Sequence, residues 1–314
     1  MRLSPYATPV LAALGLLAVL TLVALLTGAF SIGAVWDPRL LAILALWAAA
    51  WTLNVVLSLR VRSAGGALAV AALFGASLIV LWELTVRLYD VPQVILPPPS
   101  LVAETFAARA GTLWADFVQT ILKGALAGYV IGCGAAFLVA LLVDRFSFLR
   151  RGLLPLGNFM AALPIVGTAP ILVMWYGFGW QSKAAVVVLM VFFPMLVNTV
   201  AGLADTTQMQ RDLLRTYGAS WRQTLTTLRL PAAMPFIFNG LKICTTLALI
   251  GAIVAEFFGS PTLGLGFRIS TSIGQLDLGM VWASIVVAAL AGTATYGLAA
   301  LVERRMTFWH PSQR

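Results

Sequence analysis

Residues 184–204 read AAVVVLMVFFPMLVNTVAGLA, 21 positions without a charge. A helix needs about 20 mostly apolar residues to cross a hydrocarbon core of about 30 Å. This run has that length, and the chain repeats it in both directions. Towards the C-terminus lie Phe236–Ala255, whose one charge is Lys242, and the uncharged Leu278–Val302. Towards the N-terminus lie Gly152–Gly179, Gly124–Val143, Gly65–Trp82, Leu40–Leu59 and Val10–Phe30. The expectation is an all-α integral membrane protein with about eight transmembrane helices. Val10–Phe30 exceeds the usual apolar core of a signal peptide and a second span follows at once, so it reads as an uncleaved span.

Composition agrees. Hydrophobic residues make up 61% of the 314 positions and charged residues 10%, against about 25% charged in soluble domains. A disordered chain, a disulfide scaffold and an ordinary soluble enzyme are excluded. The net charge of +9 sits in short basic clusters between apolar runs. That pattern reports membrane orientation, not nucleic-acid binding. With the N-terminus inside, 14 of the 20 Lys and Arg fall on the inner side, which places both termini in the cytoplasm. The single histidine, His310, leaves no material for a histidine-based metal site or triad. Cys133 and Cys244 both lie in apolar runs and read as buried thiols.

The connections divide the chain into residues 1–62, two additional N-terminal spans, and residues 63–314, a core. An outer segment, 89–116, contains Leu96-Pro97-Pro98-Pro99-Ser100. The prolines fix an extended chain, after which Ser100 is expected to cap a short helix lying on the outer membrane surface, with Glu104 in its first turns. Pro155, Pro164 and Pro170 interrupt the fifth run. It is either a kinked packing helix or a pathway-lining element, because irregular backbone at membrane depth is tolerated only inside protein or beside a cavity. Gly124, Gly128 and Gly132 recur at a spacing of four, which lets a second helix approach closely. Residues 259–266 are glycine-rich but lack the Gly-Lys-Ser/Thr of a phosphate loop, so they read as a tight outer loop.

The longest inner segment, 205–231, is patterned rather than loose. Gln210–Tyr217 and Trp221–Leu228 read as short helices joined at Gly218, which can take φ > 0, with Ser220 capping the second. Leu230-Pro231 is expected to end that second helix before the membrane. The result is a knob with an apolar patch ringed by Arg211, Arg215, Arg222 and Arg229. The residues themselves fit two roles equally: docking a partner protein, or lying on anionic headgroups of membrane lipid.

Asp212-Leu213-Leu214-Arg215-Thr216-Tyr217-Gly218-Ala219, followed by Leu230-Pro231, resembles the EAA motif of binding-protein-dependent ABC-transporter permeases. Gly218 and Pro231 stand at the family's spacing; Asp212 replaces a Glu and two leucines replace two alanines. Leu96-Pro97-Pro98-Pro99-Ser100 on the outer side, Pro164 with Ala169-Pro170 and Trp175-Tyr176-Gly177-Phe178-Gly179, Phe193-Pro194 with Asn198, and Ala255-Glu256-Phe257 are similar to the nitrate/taurine/aliphatic-sulfonate subfamily. The resemblance covers about residues 66–305.

That resemblance implies a six-helix type I importer core in a bacterial inner membrane. Its implied partners are a second permease, either another copy in a homodimer or a sibling chain, two ATPase subunits that hold ATP and Mg, and a periplasmic or lipid-anchored solute-binding protein. The chain itself would bind no cofactor, carry no catalytic residue and hydrolyse no ATP. The ATPase-docking segment would be Asp212, Leu213, Leu214, Arg215, Thr216, Tyr217, Gly218, Ala219, Ser220, Trp221 and Pro231. Cargo would be a small anionic or vitamin-precursor-like solute. Thr168, Met174, Trp175, Asn198 and Glu256 are the candidate pathway residues, while Lys242 is expected to snorkel to the inner surface. The rival is a secondary transporter, which would normally couple through buried carboxylates. The spans hold almost none.

Overall fold

The computed structural model describes residues 37–61, 63–161, 163–259 and 262–309. The first expected span, Val10–Phe30, lies outside them. Every regular element among the described residues is helical, and six helices are long and apolar enough to cross a membrane. The chain divides into two compact units, residues 1–105 and 106–314.

In the first unit, α1 (Pro38–Arg60) and α2 (Ala64–Leu88) form a hairpin. Asp37 caps α1, its carboxylate accepting the Arg39 N–H at 2.9 Å, with Pro38 at the first helical position, where no N–H is needed. Ser63 caps α2. The short helix expected after the proline run is present as α3 (Pro99–Ala108), but Ser100 is not its cap. Ser100 already lies inside the helix, and the Glu83 carboxylate accepts both its N–H, at 2.9 Å, and its hydroxyl, at 2.8 Å. Pro99 starts the helix one residue early, so a carboxylate from α2 satisfies the free amide.

The second unit begins with α4 (Ala110–Phe117), which passes through a π-helical stretch, Val118–Ala125, into α5 (Leu126–Arg145). The fifth apolar run is two helices, α6 (Ser147–Ala161) and α7 (Ile165–Tyr176). The break falls at Pro164, whose extended backbone starts α7, whereas Pro155 and Pro170 are absorbed inside helices. Neither half alone has the length of a span, so the run is two shorter helices rather than one straight one. At 12 residues, α7 rises only about 18 Å.

The centre of the unit is α8 (Trp180–Ala204) packed on the long helix that ends the knob. Val187, Val191, Met195, Leu196, Leu203, Cys244, Ala248 and Ala252 form its core. The glycine spacing does what it predicts. A Cβ on Gly128 would sit 2.5 Å from the Val187 side chain, and one on Gly132 would collide with Val191. The absent side chains let α5 lie directly against α8. Both cysteines are buried and free.

The knob consists of α9 (Gln208–Thr216) and α10 (Trp221–Thr224). The expected stop at Leu230-Pro231 is not there. From Trp221 the helix runs through a π-helical stretch, Leu225–Arg229, into α11 (Leu230–Gly259), 39 residues without interruption and about 58 Å long at about 1.5 Å per residue. Leu230 N–H reaches back five residues to the Leu225 carbonyl. That widened turn accommodates the Pro231 ring, which clashes in a regular α-turn. The unit closes with α12 (Leu265–Gly274) and α13 (Leu278–Met306).

Candidate functional site: the knob and the polar clusters at the two ends of the long helix

Two capping boxes build the knob. Thr207 and Gln210 cap α9 reciprocally, and Ser220 and Gln223 do the same for α10. Each satisfies two amides that a helix start leaves free. Between them Gly218 takes φ +71°. Its N–H donates to Arg215 O at 2.9 Å and the Ala219 N–H to Leu214 O at 3.0 Å, the hydrogen-bond signature of a glycine-terminated helix. Met209, Leu213 and Tyr217, at a spacing of four, stand on the outside of α9, with Tyr217 81% exposed. Asp212 and Arg215 flank them, their charged groups 3.6 Å apart. Thr216 is also exposed, its hydroxyl bonded to Asp212 O. Trp221 turns inward onto the core, under the Arg145 guanidinium 5.3 Å away.

Arg229 does not belong to the expected ring around the patch. Its guanidinium turns away, bidentate to Asp144 at 2.7 and 2.5 Å, and also donates to the Leu203 carbonyl at 3.0 and 2.8 Å. Lys242 pairs with Glu303 in the last turn of α13 at 2.6 Å.

The pathway candidates separate into three places. Thr168 lines a cavity of about 200 Å³ with Met160, Phe193 and Pro194. Asn198 adjoins it, donating to the Pro194 carbonyl at 2.8 Å and accepting from Asn239 at 3.2 Å. Met174 and Trp175 project from the end of α7, both largely exposed. Glu256 is elsewhere and is 1% exposed. It accepts the Thr120 hydroxyl and the Gly266 N–H at 2.8 Å.

Glu256 belongs to a buried polar cluster that sequence reasoning missed. Asp116, fully buried, accepts the Gly264 N–H at 2.8 Å and pairs with Arg268 at 2.7 Å. Lys183, equally buried, donates to the carbonyls of Phe178 and Gly259. Asp116 and Lys183 stand at the edges of apolar runs, where a charge is assigned to water by default. Their partners lie 148 and 76 residues away, beyond any local pattern.

A family of binding-protein-dependent transport system inner membrane components matches residues 128–308. The chain belongs to that family. It is accordingly a multi-pass protein of the bacterial inner membrane and an ABC transporter permease for a small solute. Among similar permeases is the riboflavin transport system permease protein RibX of Chloroflexus aurantiacus, 32% identical over 75% of this chain and 88% of that one. The formylaminopyrimidine transport permease protein ThiX of Halalkalibacterium halodurans is 31% identical over 77% and 96%. The taurine transport system permease protein TauC of Escherichia coli is 31% identical over 75% and 87%. The matched region begins in α5 of the permease, and it includes the knob, the long helix, the Arg229–Asp144 pair and Lys183, Glu256 and Arg268 of the outer cluster, while Asp116 and Thr120 precede it.

Proposed function

We propose that this permease is the pathway-forming subunit of an importer, with residues 205–231 at the cytoplasmic surface as the dock for two ATPase subunits. The observation that carries the reading is the knob: two helices with complete caps, joined at a positive-φ glycine, presenting Met209, Leu213 and Tyr217 to solvent. Three apolar side chains on a pre-formed surface suit a protein groove, because the backbone that carries them is already ordered before binding.

In this reading two copies of the chain form the pathway, both termini are cytoplasmic, and ATP and Mg reside on the ATPase partners. A periplasmic or lipid-anchored binding protein delivers the solute. The relatives' named substrates support a small cargo of the vitamin-precursor or sulfonate kind. Thr168, Asn198 and the 200 Å³ cavity beside them are the nearest candidates for contact with it. Residues 1–62 are additional to the six-helix core of this reading.

Co-expression with any ABC ATPase encoded beside it, followed by purification on a tag carried by the permease, tests the reading. A stable complex that Gly218→Trp abolishes, with the variant still inserted in the membrane, supports it. A wild-type chain that never retains the ATPase, or a variant that retains it equally well, overturns the docking role and favours a secondary transporter.

A further inference from the structure

The knob is attached to the bundle where the long helix is weakest. Within eleven residues it contains a π-helical stretch, Leu225–Arg229, and two prolines, Pro231 and Pro235. Each removes or lengthens backbone hydrogen bonds, and such positions are where helices bend. A force applied to α9 and α10 would be lost in bending there unless something braces the joint.

Arg229 is placed at that joint. Three nitrogens of its guanidinium make four hydrogen bonds, two to Asp144 at the end of α5 and two to the Leu203 carbonyl in the last turn of α8. Carbonyls of a last helical turn lack amide partners, and a cation is favoured beside them. The neighbouring residue on α5, Arg145, lies over Trp221 at the start of α10. Consecutive residues of α5 therefore grip both ends of the 221–229 segment, about 12 Å apart at about 1.5 Å per residue. Leu225, between them, is buried in the core. The Arg229 and Asp144 side chains are only 14% and 10% exposed. A buried ion pair is weak evidence for stability, because apolar residues of similar volume often serve as well. A planar fork that fixes the ends of α5 and α8 to the π-helical joint in one geometry is something an apolar contact does not supply.

We propose that Arg229, held by Asp144, is a positioning residue for transport: it makes the knob, α5, α8 and α11 move as one body, so that motion of a docked ATPase reaches the spans instead of bending the π-helical joint. This rests on the docking function proposed above.

The test uses the reconstituted transporter with its ATPase and binding protein, comparing wild type with Arg229→Gln, Arg229→Lys and Asp144→Asn. The readout is solute moved per ATP hydrolysed, which a defect of folding alone does not change in the complexes that assemble. Arg229→Gln and Asp144→Asn are expected to keep the ATPase bound and hydrolysing while transport per ATP falls roughly tenfold, within the usual range of coupling between sites. Arg229→Lys, which keeps the charge without the fork, is expected to fall between. Should Arg229→Gln fail to assemble, the nearly isosteric Asp144→Asn carries the same readout. An unchanged ratio in a docked variant overturns the proposal and leaves the docking function standing. Failure of the wild type to bind the ATPase overturns both.

Discussion

The Thr120 hydroxyl lies 2.8 Å from each oxygen of the Glu256 carboxylate, joining positions 136 residues apart in sequence. The same hydroxyl oxygen accepts the Leu265 N–H at 2.7 Å, while Glu256 accepts the Gly266 N–H. With Asp116 taking the Gly264 N–H, three consecutive amides at the start of α12 are satisfied by side chains from the π-helical stretch, α4 and α11. The far end of the long helix thus organises the chain that follows it.

Removing this carboxylate should be costly. Glu256→Ala would leave buried donors on Thr120 and Gly266 without acceptors, and a broken buried polar network typically costs about 3 kcal/mol. Glu256→Gln, which keeps one carbonyl oxygen in place, should lose less. Thermal unfolding of the detergent-purified chain, followed by cysteine accessibility of Cys133 and Cys244, would order the variants as wild type, Gln, Ala. An alanine variant that melts with wild type would show that the cluster contributes nothing to stability.

Glycine positions on α5 give a sharper comparison, because two of them differ only in what they face. A side chain on Gly128 would enter Val187, whereas Gly134 has nothing within 4 Å. Gly128→Leu should force α5 off α8 and destabilise by about 1–3 kcal/mol or more. Gly134→Ala should be neutral or slightly stabilising, by up to about 1 kcal/mol, since it relieves a helix of glycine's entropy. The same melting assay separates them, and equal losses at both positions would contradict the packing.

Much of this was legible in the sequence for a physical reason. Spans announce themselves by length and absence of charge, and caps lie within three residues of the amides they satisfy. Hence the long apolar runs, the turn at Gly218 and the Ser220 cap could all be read from the chain. What escaped depends on partners that sequence distance conceals. Asp116, Lys183 and Arg229 look like boundary charges until α4, α8 and α11 are packed together. Proline was legible at Pro164, which breaks its run as expected, but misled at Pro155 and Pro170, which helices absorb, and at Pro231, which rides through on a widened turn whose position no local signal marks.

The exposed stripe on the knob should be separable from the fold. Leu213 is 57% exposed and contributes nothing to the core, so Leu213→Asp should shift stability by no more than about 0.5 kcal/mol. If the stripe is the dock, the same change should abolish co-purification with the ATPase, because an unpaired charge would then be buried in the interface. Loss of melting temperature in step with loss of binding would point instead to misfolding of the knob.

The Lys242–Glu303 pair offers a test in which the sign of the effect changes. The two side chains are 19% and 12% exposed and 2.6 Å apart, joining α11 to α13. Lys242→Met removes the cation and strands a nearly buried carboxylate, for which about 3 kcal/mol of destabilisation is typical. Adding Glu303→Leu removes the stranded charge as well. Since apolar residues of similar volume often replace a buried pair without loss, the double variant should recover most or all of the stability lost by the single one. A double-mutant cycle on the melting temperature measures this directly. Losses that simply add would mean that the two charges act independently, Glu303 held by water and Lys242 by the inner surface, and α11 would then be joined to α13 by apolar packing alone.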